Sequence, residues 1–236
     1  MQAELVTNIR DRADDGRRDL LLNALTISSG AVDAISFFVL GKVFTAFMTG
    51  NIAFLGLRVG GASNQPGAVA VLVSMAGFAL GAYLSTIIVK PSAGSSVWPL
   101  RVTRALGISL IAHAVFLAVW FGSNGQPSAN VTHVLLGAWG LAMGMQSAAV
   151  RSLHVEGVYT TAATATVIFL AGDLATWPAT VAERRRLTGV LVSLFVGATA
   201  GGLLLVHARI YAPVLPFAIT IAAVVAATIG FRSTTQ

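Results

Sequence analysis

Phe44-Thr45-Ala46-Phe47-Met48-Thr49 and, further on, Tyr159-Thr160-Thr161-Ala162-Ala163-Thr164 interrupt a chain built mostly of long apolar runs. In both stretches threonine recurs among small and apolar residues. Each continues as a short apolar piece, Ile52-Ala53-Phe54-Leu55-Gly56 and Val167-Ile168-Phe169-Leu170-Ala171. Around them lie apolar segments at 20–41, 67–90, 100–122, 131–153, 187–208 and 212–231. Each of these six is long enough for a hydrocarbon core of about 30 Å, which takes about 20 helical residues. The threonine-led segments, 44–61 and 159–178, are the odd ones. Whether they cross decides the fold.

Composition fixes the solvent. Apolar residues are 56% of the 236 and charged residues 10%, against roughly 25% charged in an average soluble domain. Mean hydropathy is +0.80. Too little polar surface exists to cover a water-soluble globule, which excludes a soluble enzyme and a disordered chain. There is no cysteine, which excludes a disulfide scaffold, thiolate metal sites and thiol redox chemistry. A net charge of +6 would suggest nucleic acid in a soluble domain. Here the cations sit mostly at the ends of apolar runs, where they meet headgroups, so the lipid bilayer is the partner and nucleic acid is not.

An internal repeat organises the chain. Gly30-x-x-Asp33-Ala34 matches Gly144-x-x-Ser147-Ala148 at an offset of 114. Thr45, Thr49, Phe54 and Leu55 match Thr160, Thr164, Phe169 and Leu170 at 115. Val71-Leu72-Val73-Ser74 returns as Val190-Leu191-Val192-Ser193 at 119, and Gly77-x-x-x-Gly81 as Gly197-x-x-x-Gly201 at 120. The drift implies residues inserted in the second copy around Glu183-Arg184-Arg185-Arg186. Residues 1–19, with mixed charge, read as a cytoplasmic N-terminal arm. A first membrane repeat then covers 20–122, an uncharged external linker 123–130 and a second repeat 131–236.

Positive charge separates the two topologies. If 44–61 and 159–178 cross, the eight spans divide the 15 Lys and Arg nine inside to six outside. If they enter and return, twelve lie inside, and Lys42, Arg58 and Arg209 remain outside. Twelve to three fits the positive-inside pattern far better. About eleven helical residues, Gly50 to Gly60, rise only about 16 Å, half the core. The expected fold is an all-α polytopic membrane protein with about six transmembrane helices. Two re-entrant or broken half-helix segments complete an inverted internal repeat.

Asp33-Ala34-Ile35-Ser36-Phe37, Met48-Thr49-Gly50-Asn51 and Gly144-Met145-Gln146-Ser147-Ala148-Ala149-Val150-Arg151 carry a resemblance to the YoaK family. This is a bacterial family of small integral membrane proteins of unknown function. The resemblance implies a bacterial inner-membrane location and supplies neither a substrate nor catalytic residues. The family tends to carry a second Thr-Gly in the later repeat; here Ala165 follows Thr164.

The substrate-binding candidates follow from the broken segments. Thr49, Gly50 and Asn51 stand where an extended lead-in becomes a half-helix near mid-membrane, with Thr164, Ala165 and Thr166 as their counterparts. Thr45 and Thr160 open the two lead-ins. Non-helical backbone at that depth must be buried in protein or line a wet cavity. Helix N-termini present free N–H groups and partial positive charge, suited to an anionic small-molecule solute. Such breaks at a repeat interface are where secondary transporters hold substrate. The blander reading is that these residues only cap helices and glue spans.

Asp33, mid-way through the first span, and Gln146, near its equivalent on the fifth, are the candidates for proton or ion coupling; a structural bond between the two is the alternative. His113 reads as a membrane histidine bonded to a carbonyl, and Asp173 as a hydrated residue near the surface. Trp98 and Trp120 bracket the fourth span and read as an aromatic belt. Gly77/Gly81, Gly140/Gly144 and Gly197/Gly201 are small-xxx-small pairs for packing within the bundle or for a homo-oligomer face. No metal constellation, cofactor loop or activated nucleophile is present in the sequence, so no catalytic residue, metal or cofactor is expected. The leading function is a secondary transporter or channel for a polar, anionic small solute. The alternative is a membrane scaffold or accessory subunit that packs through its glycine faces.

Overall fold

The computed structural model describes residues 2–90, 96–158, 160–161, 163–176 and 180–231, with side chains described from residue 13 onward except at 173–176. Tyr159 and the Asp173 side chain lie outside the described residues. Eight α-helices follow in order: α1 Gln2–Val39, α2 Met48–Val59, α3 Ala68–Ile88, α4 Leu100–Gly122, α5 Ala129–Arg151, α6 Ala163–Thr176, α7 Val181–His207 and α8 Val214–Gly230. A one-turn 3-10 helix, η1 Arg209–Tyr211, precedes α8. Segments 13–39, 68–88, 100–122, 181–207 and 209–230 are each long and apolar enough to cross a membrane. The 23 residues of α5 rise about 35 Å, so it has the length as well. The chain is a multi-pass, all-helical membrane protein.

By contrast, α2 has 12 residues and α6 has 14, or about 18 and 21 Å of rise. Neither spans a 30 Å core. α1 runs unbroken from Gln2, so the charged stretch at 2–19 is helical and continuous with the first spanning helix. There Arg17 pairs with Asp14 and Arg18 with Asp15 and Asp19.

The packed pairs reveal the symmetry. α3 lies on α5 and α1 on α7, and these are the two most extensive packings; α4 lies on α5 and α1 on α8; α2 lies on α3 and α6 on α7. Exchanging α1 with α5, α2 with α6, α3 with α7 and α4 with α8 maps this set onto itself. The contacts of α4 with α8 and of α1 with α5 map onto themselves. Each copy therefore buries its third helix against the first helix of the other.

Helix directions show that the copies are inverted. Trp98 stacks on Phe231, His113 faces Phe217, and the Trp120 indole N–H donates to Ile210 O. α4 and α8, the repeat equivalents, thus run antiparallel, whereas a parallel repeat would align them. Arg17 reaches Gly230 O and Ser28 reaches Pro216 O, so α1 is antiparallel to α8. Gly30 meets Leu194 and Ala198, and Gly201 meets Ala31, so α1 and α7 are parallel. Gly77 meets Gly137 and Gly81 meets Leu141, so α3 and α5 are parallel as well. α4 and α5 form a hairpin, so α5 runs with α8. It follows that α1 and α3 point opposite ways, and the segment carrying α2 returns to the end it left. The same holds for α5, α6 and α7. The start of α1 and the end of α8 lie at one end of the bundle.

Glycine makes these crossings possible. A Cβ on Gly81 would overlap the Leu141 backbone, one on Gly144 the Phe78 backbone, and one on Gly197 the Ile27 backbone. Small residues of this kind let helices approach to backbone contact in lipid.

These contacts also correct the repeat alignment. Gly144 touches Phe78 and Ala82 while its equivalent Gly30 touches Leu194 and Ala198, an offset of 116 rather than 119 or 120. The letter matches at Val190–Ser193 and Gly197/Gly201 are displaced by about one helical turn. Small residues recurring every fourth position look alike after a one-turn slip. No insertion breaks the chain at Glu183–Arg186 either. That run forms the opening turns of α7, where Thr180 accepts from Glu183 N–H at 3.2 Å as the N-cap.

The candidate site between the two short helices

Two side chains fold the α2 lead-in back into the bundle. Asp33 Oδ1 accepts from the backbone N–H of Thr45 at 2.9 Å and of Ala46 at 2.8 Å. This clasp pins the lead-in six residues below the end of α1, about 9 Å down the helix. Asn51, fully buried, then binds Phe44 as a second peptide group would. Its Nδ2 donates to Phe44 O at 2.7 Å, and Phe44 N–H donates to Asn51 Oδ1 at 3.1 Å. Ser74 Oγ on α3 donates to the same carbonyl at 2.7 Å. Every polar group of Phe44 is thereby satisfied in a place where water is scarce.

The second copy repeats the device with neutral groups. Ser147, the counterpart of Asp33, lies 2.8 Å from the Thr161 hydroxyl, and Thr161 is the counterpart of Ala46. Because the Ser147 hydroxyl donates to Met143 O, Thr161 is the donor. Gln146 Nε2 donates to Leu25 O at 3.0 Å and to Thr160 Oγ1 at 3.3 Å. Thr166, at the place of Asn51, donates to Gly157 O at 2.8 Å.

The clasps bring the two helix starts together. A cavity of about 190 Å³ is lined by Ala46, Phe47, Met48, Thr49, Phe78, Thr161 and Thr164. Thr49 and Thr164, one from each copy, share it, as does Thr161. The other five candidates, Gly50 among them, do not line it. Thr45, Asn51, Thr160 and Thr166 are buried, and the last three hold their own lead-in segments. The space above Gly50 is filled by the rings of Phe47 and Phe44, 2.7 and 3.0 Å from where a Cβ would stand. Its missing side chain makes room for aromatic packing, so the glycine serves the lead-in rather than a ligand. The α2 N-cap is Phe47, which gives no side-chain cap bond. The first-turn amides of α2 therefore have no side-chain partner from the cap beside the cavity.

Other expectations are corrected by packing. Asp33 and Gln146 do not bond each other, since each is committed to its own side of the repeat. Both ring nitrogens of buried His113 lack a partner among the described residues, so it bonds none of their carbonyls. Trp98 and Trp120 are 2% and 0% exposed. Their indole N–H groups donate to Thr103 Oγ1 and Ile210 O, both at 2.9 Å. They are core residues tying α4 to its own first turn and to η1, not a belt facing headgroups. Thr161 and Phe78 join the site without having been marked by sequence. The offset of 115 gave the signal for Thr161, which lies beside Thr160 and opposite Ala46.

A family described as "Protein of unknown function (DUF1275)" matches residues 21–227. The chain belongs to this family. It is 35% identical over 157 residues to the UPF0700 transmembrane protein YoaK of Bacillus subtilis (strain 168), covering 66% of this chain and 67% of that protein. No solved structure matches it.

Proposed function

We propose that the protein is a small secondary transporter for a polar, anionic small solute, held between the starts of α2 and α6. The carrying observation is the shared cavity: three threonines from both inverted copies and an uncapped helix N-terminus converge on about 190 Å³. At roughly 30 Å³ per liquid water this holds a solute of only a few heavy atoms. The hydroxyls and first-turn amides would supply hydrogen bonds and partial positive charge. No Lys or Arg lines the cavity, so the anion would be held by dipoles rather than a fixed cation, which favours release as well as capture.

Inverted copies give two equivalent arrangements of the same contacts, the usual basis of alternating access. Asp33 is the coupling group in this reading, since the clasp it closes positions the α2 lead-in and its release would free that segment. Gln146, one residue before the Asp33 counterpart Ser147, holds the other lead-in through Thr160. The reading puts the chain in the bacterial inner (plasma) membrane with both termini cytoplasmic, supported by the twelve-to-three bias of cations. Catalysis has no part in it. The scaffold alternative loses its main support, because Gly77, Gly81, Gly140, Gly144, Gly197 and Gly201 are all spent on contacts within the chain.

The test is a flux screen of purified protein in liposomes across small inorganic and organic anions. Saturable, protein-dependent uptake of one class supports the reading. Absence of flux across the panel, with correctly inserted protein, counts against it.

A further inference from the structure

A second concavity lies apart from the central cavity. It holds about 430 Å³ between α1 and α7, lined by Phe38, Val39, Gly202, Leu205, Val206 and Arg209. α1 and α7 are parallel and both end here, at the end of the bundle opposite the start of α1 and the end of α8. Gly202 forms part of its wall, and a Cβ there would meet nothing within 4 Å. Phe38 and Val206 are 75% and 77% exposed. Gly202 to His207, the end of α7, covers about 8 Å of helical rise, and Arg209 follows just beyond, so the groove is an apolar slot with a cation at its mouth. Tyr211 sits against Phe121 at the same end of the bundle, where aromatic side chains mark the membrane–water boundary.

Charge at this end is one-sided. The segments 40–67, 123–128 and 208–213 contain Lys42, Arg58 and Arg209 and no Asp or Glu. Arg58 donates to Pro66 O at 3.2 Å, which leaves Lys42 and Arg209, each just past the end of a groove-forming helix. A second copy docked here about a two-fold axis would bring like charges together with no acid to offset them. The uncompensated cations and the apolar slot instead fit one amphiphile.

We infer that this groove binds one anionic glycerophospholipid, an acyl chain lying along Gly202, Leu205 and Val206 and the phosphate held at Arg209. The site is independent of the transport reading. Arg209 gives a charge-assisted contact to phosphate, and Phe38 and Leu205 close on the chain from opposite helices. Lys42 adds to the potential at the same level.

The experiment is native mass spectrometry of the full-length protein titrated with phosphatidylglycerol, phosphatidylcholine or inorganic phosphate. One phosphatidylglycerol should be retained per chain, with phosphatidylcholine bound more weakly and inorganic phosphate not competing. Arg209→Gln should weaken phosphatidylglycerol about five-fold, the factor one cation contributes at an anionic surface, and phosphatidylcholine less, because its choline cation already offsets the phosphate charge. Gly202→Leu should fill the slot and abolish the tight site for both lipids. Arg209 lies past the end of α7, so its variant reads out even if Gly202→Leu fails to fold. Equal retention in wild type and Arg209→Gln would overturn the inference, as would displacement by inorganic phosphate. So would a Gly202→Leu protein that loses a dimer mass and keeps its lipid, since the groove would then be a contact between copies.

Discussion

Asp33→Ala should loosen the α2 lead-in more than any other single truncation of a polar side chain in the bundle. The substitution removes the acceptor for two backbone N–H groups, those of Thr45 and Ala46 at 2.9 and 2.8 Å. Leaving a buried donor unmatched costs about 1–3 kcal/mol, so the pair puts the loss at about 2–6 kcal/mol. Asp33→Asn keeps an Oδ1 acceptor in place and should retain most of this. The neutral clasp of the other copy gives an internal control: Ser147→Ala loses the Thr161 hydroxyl contact and the bond to Met143 O, about 1–2 kcal/mol together, and leaves no backbone N–H unmatched. The assay is amide hydrogen exchange on peptides covering 44–47 and 160–161, alongside denaturant unfolding in detergent. Asp33→Ala should speed exchange at 45 and 46 by at least about thirty-fold, the lower end of the range. Wild-type exchange rates in Asp33→Ala would refute the clasp. If Asp33→Asn loosens the segment as much as Asp33→Ala does, charge and not the Oδ1 acceptor holds it.

Three further outcomes are expected. Gly81→Leu should prevent folding or cost about 1–3 kcal/mol or more through overlap with the Leu141 backbone, whereas Gly202→Ala should leave thermal stability in detergent unchanged. Single cysteines at Lys42 and Ala62 should label from one side of the membrane, and those at Glu156 and Thr180 from the other; mixed sidedness within either pair contradicts the inverted repeat. If Asp33 couples protons, solute uptake should accelerate as external pH falls, because protonation then assists loading, and Asp33→Asn should flatten that profile in a liposome flux assay.

The helical layout was legible because membrane physics writes it in long runs. The apolar segments at 100–122 and 212–231 nearly coincide with α4 and α8, and the charge asymmetry separated six spans from eight. The paired starts at Thr49 and Thr164 were legible as well, through a repeat offset that structure and sequence share. Register in the third helix of each copy was not. Glycine and alanine recur there every turn, and only backbone contact shows that Gly144 meets Phe78 while Gly30 meets Leu194. Side-chain direction was equally hidden. Nothing in Met48-Thr49-Gly50-Asn51 states that Asn51 turns back to Phe44 while Thr49 faces the cavity. Trp98 and Trp120 misled for a related reason: their spacing suits a belt, but Phe231 and Ile210, which pack against them, are far away in sequence.

In the proposed mechanism, solute passes between the starts of α2 and α6. The natural absence of cysteine allows Thr49→Cys and Thr164→Cys to be combined and bridged by a short, reducible bifunctional thiol reagent in liposomes. Solute flux through the bridged protein is the most direct measurement. Flux should stop on bridging, return on reduction, and persist in either single variant given the same reagent. Unchanged flux through fully bridged protein would contradict the account.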